Sequence, residues 1–443
     1  PGFPVFILML RAAYFFVRND HHALLVVNFI FASLLGAALF YLYREIFADR
    51  WIALAGALLG CFAPSLYVHS LIARSDTPNL VLGIICLALV IRGFQSRRAL
   101  LMGCVVLGLG MGVRVTLLPL VGSVLALVLL VHIWKRRDWK LVITSAVVTG
   151  ICILSWYMPI VLLTGWQNYR DAVARQSKYI SETDTIFQSI YTPAERFYGY
   201  FIDVWGEMNI ALTVYILAGL GILLLVLRRK WKALGLMILS FLPFLTFTVL
   251  MNTPMGVIVY SMPYIPFFTG LAGCALVLAP QLIFSPAKWP KASMIGVGLA
   301  AGVAIASANW SYPLIKLLRK EVSPPVRAAK AVQAKLDKEK SVLYFDKGLY
   351  PHVKYYLPDY QAREWEGRAV PPLNLVNPVE SQLPAYGLST EPIGQLPADH
   401  FFWTPGRGAR RLKTLSIGRF FDIYLTDVSE LGKVIYLSGW YQP

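Results

Sequence analysis

Charge is scarce in this chain, and acidic charge is scarcest. Only 24 of 443 residues are Asp or Glu, against 41 Lys and Arg, and charged residues are 15% of the total. Soluble domains carry more charge and fewer apolar residues, so a water-soluble globular class is excluded. Cysteine is sparse too. Cys61, Cys86, Cys104, Cys152 and Cys274 all fall inside apolar stretches, with no CxxC or Cys/His spacing. They read as small buried hydrophobes rather than metal ligands. The polar C-terminal region has no cysteine, so no disulfide reports its redox compartment. The phosphate-cradling GxxxxGK[ST] loop, a GxGxxG turn after a strand, the HExxH metal helix and the GxSxG nucleophile turn are all missing. The apolar runs also lack the scattered charged residues of an ion or proton pathway. The formal charge of +17 lies mostly in short loops between apolar runs. No basic helix interleaved with aromatics is present, as single-strand binding would want, so nucleic acid is set aside as a partner.

What the chain does have is apolar length. Hydrophobic residues make up 57% of it and the mean hydropathy is +0.58. Residues 6–17 are apolar but short and interrupted by Arg11, which fits a partial span or an interfacial helix. About ten clearer spans follow, near 23–43, 51–71, 78–91, 100–112, 115–133, 141–163, 210–227, 233–250, 256–284 and 293–310. A span needs roughly 20 residues to cross about 30 Å of hydrocarbon, so the shorter runs require tilt or local thinning. Basic loops at 43–50, 92–98, 135–140, 228–232 and 285–292 alternate with turns that carry few basic residues. Basic loops face the cytoplasm, which sets Asp76, Arg114, the 165–209 loop and everything after Trp310 on the outer side. The chain opens on Pro1-Gly2-Phe3-Pro4 and enters an apolar run at once, so its natural N-terminus is expected upstream.

Two polar regions interrupt this pattern. The 165–209 segment is too long for a simple connector. Its first part, Tyr169 to Gln176, reads as an amphipathic helix on the membrane surface. The tail opens with a charged helical stretch at 325–340. Strand-like runs follow at 341–346, 400–404, 420–426 and 433–438, with a Pro-rich connector at 370–397. The expected architecture is mainly α: a polytopic helical membrane bundle over 1–310, and a small extracytoplasmic α/β domain over 311–443.

Candidate chemistry is confined to a few polar residues at span ends. Asp76 sits in Ala73-Arg74-Ser75-Asp76-Thr77-Pro78, flanked by long apolar stretches. It either caps the helix that Pro78 begins or has a direct role, and the two are compatible. Arg114 either snorkels to the interface or grips phosphate with its two-pronged guanidinium. Arg74 is a second phosphate candidate on the same side. His21 and His22 lack a third ligand at fixed spacing and read as solvated. Asp171, Glu182 and Asp184 in the outer loop could supply a ligand or orient an acceptor, although each alone is more often a solvated carboxylate. Arg228-Arg229-Lys230-Trp231-Lys232 reads as an inner-face anchor.

Several segments together resemble the bacterial GT-C glycosyltransferases that use polyprenyl-phosphate sugars, including the protein O-mannosyltransferase-like and lipid-A aminoarabinose transferase-like enzymes. Pro1 to Phe6 is similar to their "PPxYP" segment. Leu42 to Ala48, with Arg50, Leu54 and Ala55, resembles "LxRRLFGRRxAxLAA". Ala73 to Pro78 matches "AR(T/P)D", Gly108 to Thr116 resembles "GLAxLTRPT", and Met262 to Pro266 matches "LLPxLP". Trp156, Pro159, Gly165 and Tyr169 fit the start of the long outer loop, and Tyr355 to Pro358 matches the tail loosely. The resemblance implies an inverting transferase of the outer face of a bacterial inner membrane. Its donor would be a polyprenyl-phosphate sugar and its acceptor a hydroxyl on a lipid, glycan or protein. The residues implied are Asp76 in a catalytic role and Arg74, Arg114, Tyr169, Asp184 and Tyr260 at the substrates. The family's principal catalytic Asp is expected upstream of Pro1. Its Arg-Tyr pair before "LLPxLP" is here Val259-Tyr260, which removes one phosphate contact. A divalent metal occurs in some relatives, and no residue here demands one. Other readings are a lipid-linked-sugar flippase, a membrane scaffold with a sensory tail, or a GT-C-type ligase of whole glycans.

Overall fold

The computed structural model describes residues 3–72, 74–183, 192–251, 258–284, 291–346, 349–365, 383–390, 392–393, 395–415 and 422–429. It divides into two compact units, Pro1–Ser311 and Tyr312–Pro443.

The first unit is helical: α1 (Pro4–Val17), α2 (Asp20–Phe47), α3 (Arg50–Cys61), α4 (Pro64–Ser70), α5 (Asp76–Arg92), α6 (Arg97–Gly110), α7 (Leu117–Trp134), α8 (Trp139–Thr164), α9 (Trp166–Thr183), α10 (Pro193–Phe201), α11 (Met208–Leu227), α12 (Trp231–Met251), α13 (Ile265–Ile283) and the start of α14 (Ala292–Lys320). Short 3₁₀ segments lie at Asp203–Trp205 and Ile258–Tyr264. Among the described residues, α2, α7, α8, α11, α12, α13 and α14 are long and apolar enough to cross a membrane. The protein is an integral membrane protein.

Several spans differ in detail from the expectation. The run at 51–71 is not one straight helix. It breaks after Cys61 and bends by 64° into α4, where Pro64 supplies no N–H for a continuing ladder. The run at 256–284 opens as a 3₁₀ segment before α13, again at prolines, Pro263 and Pro266. The run at 78–91 falls within α5, of 17 residues, and the run at 100–112 outlasts α6, of 14 residues, which ends at Gly110. At 1.5 Å per residue α5 reaches about 25 Å, short of a full crossing without tilt. Helix α14 does not stop at Trp310 but runs on to Lys320.

Helix α13 is the centre of the bundle: 78% of its apolar window is buried, against 0% for that of α8. It packs against α3 and α11. Backbones touch there, since a Cβ on Gly273 would stand 2.5 Å from Gly56 N. Small residues let helices approach this closely where lipid removes the hydrophobic drive for association. Tyr43 of α2 locks the contact by donating its hydroxyl to Pro266 O at 2.7 Å.

The second unit is an α/β layer. Helices α15 (Pro324–Lys335), α16 (Tyr350–Tyr356) and α17 (Arg407–Thr414) accompany strands β1 (Val342–Asp346), β2 (Gln361–Trp365), β3 (Ala385–Ser389), β4 (Ala398–Phe402) and β5 (Asp422–Asp427). The sheet order is β2-β1-β3-β5-β4; β1 runs parallel to β2 and β3, and β5 antiparallel to β3 and β4. Leu343, Phe345, Ile423 and Leu425 bury one face against Ala328, Val332 and Val353. Part of the Pro-rich 370–397 connector is therefore a strand, β3, at the centre of the sheet. Its five residues draw ladder bonds from both neighbours, which overrides a composition poor in strand formers. The expected strand at 433–438 lies outside the described residues.

Candidate active site

The polar turn before α5 and the turn after α6 meet. Helix α5 begins at Asp76, but Ser75 stands at the cap position and makes no side-chain cap bond. The Asp76 carboxylate turns instead to two guanidiniums. Arg114 Nη1 lies 2.5 Å from Oδ1 and Arg74 Nε 3.3 Å from Oδ2. Asp76 is 5% exposed, the Arg114 side chain 12% and Arg74 43%. Neither carboxylate oxygen completes a directional hydrogen bond among the described residues, so both keep acceptor capacity. One carboxylate between two guanidiniums leaves the spot one charge positive, a place that attracts an anion.

The scaffold around this trio is built from the same turns. Arg114 N donates to Gly110 O at 3.0 Å, fixing the turn that follows α6. Thr77 Oγ1 donates to His69 O on α4, and Asn79 Nδ2 to Thr116 Oγ1 at 3.4 Å. The Arg114 guanidinium carbon lies over the rings of Phe3 and of Tyr260, 5.3 Å from each centre. Such stacking positions a guanidinium while leaving its edge donors free. Val5 N donates to Gly112 O at 3.0 Å, tying the start of α1 to the same turn.

Beside the ion pair is an apolar cavity of about 600 Å³. Phe3, Met111, Val115, Trp156, Ile160 and Tyr169 are among the residues that line it. Phe3 therefore faces the cavity and also covers Arg114. Tyr169, on α9, meets Tyr157 edge-on at 5.4 Å. The described part of the 165–209 segment is fastened to the 3₁₀ turn that carries Tyr260, where Tyr264 donates its hydroxyl to Tyr200 O at 2.5 Å, and to α4, where Ser65 donates to Val204 O.

Of the residues singled out in the sequence, Asp76, Arg74, Arg114 and Tyr260 come together and Tyr169 lines the neighbouring cavity. Asp184 lies outside the described residues. His21 and His22 stand at the start of α2, their rings 6.2 Å apart. Among the described residues no three His, Cys, Asp or Glu gather to hold a metal. Two residues were passed over in the sequence. Phe3 carries no local signal for stacking on a distant arginine. Asp203, on the 3₁₀ turn packed against α4 and residues 258–264, is half-buried, and burial pushes its carboxyl up to about 6. Its signal was a lone acid between apolar neighbours in Phe201-Ile202-Asp203-Val204-Trp205.

The family described as dolichyl-phosphate-mannose-protein mannosyltransferase matches residues 1–164. That stretch contains Asp76, Arg74 and Arg114. No curated protein matches the chain. Among solved structures, ArnT from Cupriavidus metallidurans bound to undecaprenyl phosphate is similar at 15% identity, with a TM-score of 0.50 over 94% of this chain and 86% of that one. The same protein in the apo state matches at 15% identity and a TM-score of 0.49, over 97% and 88%. The likeness to the bound form shows that this chain has the ArnT fold, a polytopic helical bundle followed by a small sheet-containing region.

Proposed function

We propose that the protein is an inverting membrane glycosyltransferase with a polyprenyl-phosphate sugar as donor. One observation carries the reading: a buried carboxylate and a guanidinium lying over two aromatic rings share a spot of net positive charge beside an apolar cavity. The isoprenoid chain lies in the cavity and the phosphate binds Arg114, with Arg74 as its second partner. The acceptor hydroxyl attacks the sugar's anomeric carbon from the face opposite the phosphate. The new C–O bond forms as the bond to phosphate breaks, and the phosphate leaves with its isoprenoid. Charge grows on that phosphate as it departs, where the guanidiniums stabilise it. The acceptor's proton passes to a carboxylate base, and Asp76, with acceptor capacity to spare, orients the hydroxyl. The matched family and the protein with bound undecaprenyl phosphate support this chemistry. The basic loops support an orientation with the site and residues 312–443 on the outer side of the membrane, and the bacterial inner membrane follows from the resemblance alone.

The test is sugar transfer by the purified protein from a polyprenyl-phosphate donor. Asp76→Asn is expected to lower kcat about a hundredfold. Full activity in that variant would reduce Asp76 to a partner of Arg114 and sink its assigned role.

A further inference from the structure

Helix α14 is bracketed by cations. From Ala292 to Ile315 it carries no charged residue, and Lys291 and Lys316 stand at the two ends. That length is about 36 Å, enough to cross the hydrocarbon, so Lys316 comes at its far edge. Lys316, Arg319 and Lys320 then follow at i, i+3 and i+4 on one exposed face. Basic residues gather where loops face the cytoplasm, and the positive-inside rule gives no reason for a cluster at this end.

A second basic stripe is held against the first. Helix α17 buries Leu412 and exposes Arg407, Arg410 and Lys413 at i, i+3 and i+6. It approaches α14 through Gly408: a Cβ there would stand 2.7 Å from Pro313 O and 3.1 Å from Leu317 Cβ. The chain neighbours of that contact are Arg407 and Lys316. The segment leading to α17 is tied to the same helix end by Thr404 N, which donates to Glu321 at 3.1 Å. Helix α14 thus carries six exposed cations at or beside its polar end, three of its own and three on the helix docked to it.

We propose that α17 and the end of α14 form a binding surface for the phosphate headgroups of the leaflet that α14 enters. Charge complementarity and position argue for lipid over a dissolved anion. The cations begin at the hydrocarbon edge, within about a Debye length of an anionic surface. A basic amphipathic helix with its apolar face already buried in protein binds such a surface by charge alone. The inference rests on α14 being a membrane span and stands independently of the transferase reading.

The experiment is hydrogen exchange on the full chain in nanodiscs of phosphatidylcholine alone or with phosphatidylglycerol added. Exchange across Arg407–Thr414 is expected to slow about tenfold in the anionic discs and to recover in high salt. The triple variant R407E/R410E/K413E should lose this lipid-dependent slowing while β1 and β3 keep their protection. Gly408→Leu keeps every charge but separates α17 from α14, and should lose it too. Equal exchange in both lipids would overturn the proposal. So would persistence of the slowing in either variant, or the same slowing by inorganic phosphate in neutral discs.

Discussion

Arg114 has more asked of it than any other residue. Its charge pairs with Asp76 and its plane is held by Phe3 and Tyr260. Lysine keeps the charge but neither stacks as a plate nor binds phosphate through two parallel bonds. Arg114→Lys is therefore expected to raise the donor KM about tenfold with kcat less affected, as steady-state kinetics would show. Unchanged donor KM would remove the stacked plane from the account. Asp203 gives a pH prediction. Its folded-state carboxyl, near 6, lies above the unfolded value of about 3.9, so the folded state holds this proton more tightly. The stability it contributes is present below about pH 4 and is lost as pH rises through about 6. Asp203→Asn should raise Tm relative to the parent at pH 8, with the gain vanishing at pH 4 in thermal scans. A gain equal at both pH values would refute the assignment. Asp76 and Arg114 were legible because charge is so rare in this chain. Their pairing was not, since nothing local in either turn encodes a contact between them. The helix-cap role open to Asp76 in the sequence is also not what its carboxylate does.

Helices were legible from apolar length, their breaks less so. A hydropathy run does not separate one straight helix from two joined at 64°, and only Pro64 marked the place. Strand β3 hid inside a Pro-rich stretch because its stability comes from the neighbours β1 and β5 rather than from its own side chains. The α3–α13 crossing was silent as well, since glycines in an apolar run do not announce which of them touch. It yields a sharp prediction. Gly273→Val drives a side chain into the Gly56 backbone, which cannot swing aside as a flexible side chain would. The expected cost is about 3 kcal/mol, at the upper end for overpacking, read as a lower Tm in detergent. Gly298, with open space around it, should tolerate Ala with little change in the same measurement. Equal losses at the two positions would contradict the close crossing.

Composition separates an apolar stretch from a polar tail. The division falls at Ser311, while the helix that joins them runs on without stopping. Composition missed this continuity because the polar residues begin before the helix ends. In the first unit Asp76, Arg74 and Arg114 come together where the turns before α5 and after α6 meet, beside an apolar cavity. The proposed function ties that spot to a lipid anion. The direct test is retention of polyprenyl phosphate by the purified protein, followed by native mass spectrometry. The parent chain should hold one molecule per chain, and Arg114→Ala should hold it at least tenfold more weakly, with the fold intact by circular dichroism. Equal retention by both proteins would contradict the account at its centre.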